Sequence, residues 1–147
     1  NMIEYLLERN VYNKNIMGLY RNYFPEKFEY MKKLQILGKI EFFVIASDGD
    51  RIVSAMGIKK EKKLYRYLHI VTHPEYQRRG IGTKMHEKAF EFCKKEGAEI
   101  VDLMKEKDDY FNNKKFEKLG FQHEASRMIN GVEWYYYKWN RPRKRGS

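Results

Sequence analysis

The apolar positions change period at Ile40, which divides the chain into a helical front and a strand-rich remainder. In the front, Ile3, Leu6 and Leu7 fall on one side of a short helix over Ile3–Arg9, and no opening strand is expected. A second helix is expected over Asn13–Asn22 and a third over Pro25–Leu37. Pro25 suits a first helical position, Phe28, Met31, Leu34 and Leu37 recur at helical spacing, and Gly38 closes the run. From Ile40 to Ala46 β-branched and aromatic residues dominate. Ser47-Asp48-Gly49-Asp50 then turns the chain and Arg51–Lys59 returns. A charged turn over Lys59–Lys63 leads into Leu64–Val71, where Tyr65, Tyr67 and His69 alternate with Arg66, Leu68 and Ile70. Pro74 cannot continue a central strand, so the ladder stops there.

Helical spacing resumes over Gly80–Glu96, with Ile81, Met85, Ala89 and Phe92 on one face and Gly97 as its cap. Ala98–Met104 reads as a strand and Lys105–Asp108 as a polar linker. Asp109 is placed to cap a helix that ends at Leu119 and Gly120. Phe121–Met128 and Val132–Trp139 are strands joined through Asn130-Gly131, a strong hairpin signal. A meander, a helix, a strand, a helix and a final hairpin give an α+β, or mixed α/β, fold with one central, mostly antiparallel sheet.

Composition narrows the class. A chain of 147 residues with 42% hydrophobic content reads as one globular domain, residues 1–139, followed by a basic tail over 140–147 that carries Arg141, Arg143, Lys144 and Arg145. No apolar run approaches the roughly 20 residues of a membrane span, and no signal peptide is expected. Cys93 stands alone, which excludes an intramolecular disulfide and argues against a cysteine zinc site. A reducing, cytoplasmic location is expected. The net charge of +10 asks for an anionic partner without choosing between a nucleotide cofactor and nucleic acid. Strand alternation divides the aromatics of Trp134–Trp139 between two faces, which makes a base-stacking platform, and so nucleic acid, the weaker choice.

The chemistry concentrates between Val71 and Thr83. Arg78, Arg79, Gly80, Ile81, Gly82 and Thr83 fall where a helix begins and its first N–H groups have no partner within the helix. Two glycines keep side chains away from that backbone, and the helix dipole favours an anion, so the stretch reads as a diphosphate cradle. His73 and Glu75 beside Pro74 are expected to be exposed, His86 to lie at the surface or a boundary, and Cys93 to be a small core residue. No histidine spacing suggests a metal.

Gln77-x-x-Gly80-x-Gly82, preceded by Val71-x-x-Pro74-Glu75-Tyr76, resembles the acetyl-CoA motif of the GNAT N-acetyltransferase superfamily. Lys115-Phe116-Glu117-Lys118-Leu119-Gly120-Phe121 resembles that family's F-Y-E-K-L-G-F segment, and the element order from Ile40 to Trp139 matches its fold. The resemblance implies a sheet that splays at the cofactor site and acetyl-CoA as cosubstrate. The diphosphate would lie on Gln77–Thr83 and the pantetheine arm along Ile70, Val71 and Thr72, with a backbone N–H near Val71 on the thioester carbonyl. It implies a primary amine as acceptor, in a site shaped by Tyr12–Leu37 with Tyr20, Tyr23 and Phe24 as wall residues, and a monomer or homodimer.

Two departures concern proton transfer. The strand before the cradle has no carboxylate, which leaves His69, and Asp102 on the next strand, as candidate bases. Phe116 stands where the family's tyrosine would protonate the departing thiolate, and Asp109 stands where it has an asparagine. A non-catalytic module that binds CoA or a partner is therefore the alternative.

Overall fold

The meander expected from Ile40 to Val71 is the centre of the structure, a computed structural model that describes residues 2–143. Seven strands form one sheet: β1 (Ile3–Glu8), β2 (Ile40–Asp48), β3 (Arg51–Glu61), β4 (Leu64–Thr72), β5 (Ile100–Glu106), β6 (Gln122–Ile129) and β7 (Val132–Asn140). Their spatial order is β1-β2-β3-β4-β5-β7-β6, antiparallel throughout except between β4 and β5. On one face, α1 (Lys14–Tyr23) and α2 (Pro25–Ile36) pack Ile16, Tyr20, Met31 and Leu34 against Phe43, Ile45, Ala55 and Val71. On the other, α3 (Ile81–Lys95) and α4 (Tyr110–Leu119) pack Met85, Ala89, Phe90 and Phe116 against Val44, Met56, Tyr67 and Leu103. β2 and β3 are covered on both sides, which is why their sequences read as near-continuous apolar runs.

Four expectations are corrected. Ile3–Glu8 is a strand, not a helix: the period that matters is Ile3, Tyr5, Leu7, and these three pack on the core while the segment pairs with β2. The charged turn shrinks to Lys62-Lys63, because Lys59, Lys60 and Glu61 pair with Arg66, Tyr65 and Leu64. β5 runs through Glu106, so Lys105 and Glu106 belong to the sheet, opposite Tyr135 and Trp134 on β7. The sheet also extends past Trp139: Asn140 pairs with Ile100, and the Arg141 guanidinium donates to the carbonyls of Ala98 and Lys94 at 2.9 and 2.8 Å. Of the expected tail, residues 144–147 lie outside the described residues.

The fourth-strand alternation is broken by a bulge. Met56 pairs with Ile70 but Ile58 pairs with Tyr67, so Leu68 and His69 together stand opposite Gly57. One extra residue reverses the faces. Tyr65, Tyr67 and Ile70 lie on the α3 side, whereas Leu68 and Val71 lie on the α1–α2 side. Tyr20, fully buried, fills the gap from α1: its hydroxyl donates to the His69 carbonyl and lies 3.4 Å from the Ala55 carbonyl.

Candidate functional site

The bulge lies where the sheet opens. β4 and β5 pair only at Leu64–Ile100, Tyr65–Val101 and Arg66–Asp102; beyond that point they part, and the β4 edge from Tyr67 to Thr72 has no strand beside it. The His73 N–H bonds Val53 on β3 at 2.8 Å. By alternation along the ladder, the Val71 N–H also points to β3, while those of Ile70 and Thr72 point to the open edge.

At the end of β4 the chain makes a 3₁₀ turn over Pro74–Tyr76 and enters the cradle. Gln77 pins this loop to the strand, its Nε2 donating to the Thr72 carbonyl at 3.2 Å. Arg78 and Gly80 both adopt left-handed backbone, φ +62° and +77°, which an arginine occupies only under constraint and a glycine occupies freely. Arg79 lies over the Tyr76 ring at 4.9 Å. The N–H groups of Arg78 through Thr83 meet no acceptor among the described residues, and a Cβ built on Gly82 would touch nothing within 4 Å. Ile81 turns its side chain into the core, so only its backbone faces the cradle. The Thr83 hydroxyl donates to Asn112 Oδ1 at 3.0 Å, tying α3 to the start of α4.

The open wedge holds two joined cavities, one on each side of the sheet. That on the α3–α4 side, about 310 Å³, is lined by Ile70, His86, Lys105 and Asp109; that on the α2 side, about 730 Å³, by Lys27, Tyr30, Arg127, Ile129 and Tyr136. Phe24, Leu68, His69, Leu103, Met104, Glu106 and Trp134 border both. The wedge is thus a passage through the sheet. Successive residues of its β5 wall leave opposite faces of the sheet: Lys105 borders the smaller cavity alone, and Glu106, which is exposed, borders both.

The expected catalytic groups are separated by this geometry. His69 borders the passage, edge-on to Phe24 and Tyr30, and burial with help from the Lys27 charge lowers its pKa to about 4. Asp102 is fully buried at the apex of the wedge. It receives both Arg66 nitrogens, at 2.9 and 2.8 Å, and the Tyr136 hydroxyl at 2.7 Å. Asp109 caps α4 through the Asn112 N–H at 3.3 Å and holds Lys105 at 3.5 Å. Phe116 is in the core, 5.2 Å from the His86 ring.

Several surroundings differ from expectation. His86 is buried: its Nδ1 donates to the Gly82 carbonyl at 2.6 Å, its Nε2 faces Lys105 Nζ at 3.5 Å, and burial lowers its pKa to about 3. α3 buries a broader stripe than expected because it packs against both the sheet and α4, and the stripe takes in His86 and Phe90; Cys93 is buried as expected. His73 is also buried, between the Tyr23 hydroxyl at 3.0 Å and Arg51 at 2.9 Å, while Glu75 is exposed as expected. Tyr20 holds the bulge instead of lining the site; Phe24 does line it. Sequence reading missed Lys105, Glu106, Arg127 and Trp134. Lys105 and Glu106 were hidden in a presumed linker, although their alternation with Leu103 and Met104 was a usable signal.

The sheet splays between β4 and β5, and its open edge leads to a helix N-terminus whose N–H groups have no acceptor among the described residues. The sequence pattern of the acetyltransferase (GNAT) family matches residues 9–121, and the chain belongs to that family. Comparison with curated proteins gives no match. Among solved structures the fold is similar to the ribosomal-protein-S18-alanine N-acetyltransferase of Escherichia coli, with 15% identity and a TM-score of 0.76 over 95% of this chain and 94% of that one. It is similar to a Bacillus subtilis acetyltransferase in complex with CoA, with 16% identity and a TM-score of 0.71 over 96% and 100%. It also resembles a Brucella melitensis GNAT family acetyltransferase in complex with acetyl-CoA, with 14% identity and a TM-score of 0.70 over 95% and 88%. Among the described residues no helix is long and apolar enough to cross a membrane.

Proposed function

We propose that the protein is an acetyl-CoA-dependent N-acetyltransferase acting on a primary amine. One observation carries this: a strand edge left unpaired by the splay leads without interruption from the passage to an anion cradle. A ligand with an anionic diphosphate, an extended amide arm and a reactive end matches that surface part by part. The N–H groups of Arg78–Thr83 bind the diphosphate, and Gly82 keeps side-chain bulk off it. The β4 edge at Ile70, Val71 and Thr72 pairs with the amide arm, and an edge N–H on the acyl oxygen can contribute about 10²–10³ in rate. The GNAT structures in complex with CoA or acetyl-CoA support this reading.

Acetyl-CoA supplies an activated acyl thioester; the protein's task is to move protons around it. A lysine-like amine with pKa about 10.4 is neutral in about one part in 10³·⁴ at pH 7, a cost of roughly 4.6 kcal/mol. Glu106, on the α2 side, is placed to take the proton directly or through water. His69 is a poorer base, since its imidazole holds a proton only below about pH 4; it serves as a neutral hydrogen-bond acceptor for the amine. Asp102 acts by position, pinning Arg66 and Tyr136 at the apex. On the opposite side Phe116 offers no proton to the departing sulfur. Lys105, held between His86 and Asp109 and facing the smaller cavity, supplies it.

The test is release of free CoA thiol from acetyl-CoA across a panel of amines. Release dependent on at least one amine is expected. The buried Phe116 favours one other reading, a CoA-binding module without turnover. Tight acetyl-CoA binding with no release from any amine would establish that reading instead.

A further inference from the structure

The larger cavity has a charge pattern that selects among amines. Strand alternation builds its floor from Glu106, Trp134, Tyr136, Ala125, Arg127 and Ile129, which pair across β5, β7 and β6, and α2 overhangs it with Lys27 and Tyr30. Three cations and one carboxylate border it. Arg66 is already neutralised by Asp102 at 2.8 Å. Lys27 and Arg127 make no salt bridge among the described residues. The Lys27 charge reaches the passage, since it contributes to the lowering of the His69 pKa. Glu106 and His69 border the passage, Trp134 stands between Glu106 and Arg127 across the paired strands, and Leu68 and Ile129 add apolar lining. A polycationic amine would set its remaining ammonium groups against unpaired cations. A molecule with an amine at one end and an anion at the other meets complementary charge at both.

We infer that this cavity is the acceptor site, and that the acceptor is an amine whose own carboxylate, separated from it by an apolar body, is held by Lys27 and Arg127. This rests on the acetyltransferase reading. Its volume of about 730 Å³ suits a ligand of small-molecule or short-peptide size. In the transfer, the amine nitrogen forms a bond to the acetyl carbon and the carbon–sulfur bond breaks. The sulfur leaves with the bonding pair and takes a proton from Lys105, while the nitrogen gives up its proton toward Glu106.

Three amines of one length separate the charge from the chain: 6-aminohexanoate, hexylamine and 1,6-diaminohexane, each assayed by CoA release with acetyl-CoA. The expected order of kcat/KM is carboxylate, then neutral, then second ammonium, with at least tenfold between first and last. Arg127→Glu, at an exposed position, should raise KM for 6-aminohexanoate at least tenfold, leave acetyl-CoA affinity unchanged and reverse the order. A hexapeptide with a free N-terminus and acidic residues, compared with its amide-substituted counterpart, tells a peptide acceptor from a small one; either supports the charge rule if the acidic form wins. Hexylamine within twofold of 6-aminohexanoate, preference for the diamine, or an unchanged order in Arg127→Glu would overturn the inference while leaving acetyltransfer intact. Release from an amine of the wider panel but from none of these three would overturn the inference alone; acetyl-CoA binding with no release from any amine would overturn both.

Discussion

His86 shows how a single residue couples the cradle, the core and the passage. Its Nδ1–H is committed to the Gly82 carbonyl in the first turn of α3, and its Nε2 faces Lys105, so the ring is held neutral. Folding therefore lowers its affinity for protons. The unfolded chain binds a proton below about pH 6.5 and the folded chain only near pH 3, so stability is full above pH 6.5 and falls as the pH drops through that window. The shift corresponds to about 3–5 kcal/mol at this buried site. Urea midpoints measured from pH 7 to pH 4 should fall for the wild type and fall less steeply for His86→Leu; equal slopes would reject the assignment. Lys105 is tested by chemical replacement. Lys105→Cys should lose about tenfold or more in kcat, with KM for acetyl-CoA little changed. Alkylation with 2-bromoethylamine, which rebuilds an ammonium, should restore it, and iodoacetamide should not. Cys93 is fully buried and burial raises its pKa, so the new thiol is the one that reacts. Neither His73 nor His86 was legible as buried: both read as polar, and their burial comes from partners far along the chain, Tyr23 and Arg51 for one, Phe116 and Tyr67 for the other.

At the scale of elements, the bulge on β4 decides which groups face which cavity. Without it His69 would stand on the α3 side with Tyr65 and Tyr67; with it, His69 meets Phe24 and Tyr30. Apolar alternation continues through Leu68–Val71 in either register, so the sequence carries no mark of the extra residue, and a flawless alternation pointed to the wrong face. What stabilises the bulge is the Tyr20 hydroxyl, together with the close approach of Met31 to Gly57, where a Cβ would meet Met31 Cε at 3.0 Å. Tyr20→Phe leaves the His69 carbonyl without that partner in the core, and should cost about 1–3 kcal/mol of unfolding free energy. Because that carbonyl lies at the passage, kcat should fall as well. A variant as stable as the wild type would show that the bulge is set by strand pairing alone. The cradle, by contrast, was legible because it is local: a strand end, a proline, two glycines and a helix start lie within a dozen residues.

Across the whole molecule, the proposed reaction divides the work between the two sides of the sheet. The α3–α4 side carries the cradle and Lys105, the α2 side carries Glu106 and the unpaired cations, and the splay between β4 and β5 connects them. Sequence order exposed the first side and concealed the second, since the α2 cavity is assembled from α2, β4, β5, β6 and β7 and no contiguous motif describes it. The account as a whole depends on acetyl-CoA occupying the cradle, and binding to the wild type and Gly82→Trp tests that most directly. Gly82 faces open space, so the indole should be accommodated by the fold and its ligand-free melting temperature should change little. Ligand at about 100 times its Kd adds roughly 2.7 kcal/mol, or roughly 5–10 °C in Tm for a chain of this size. The wild type should show that rise with acetyl-CoA and Gly82→Trp should show none; an absent shift in the wild type, or an equal one in Gly82→Trp, would contradict the account.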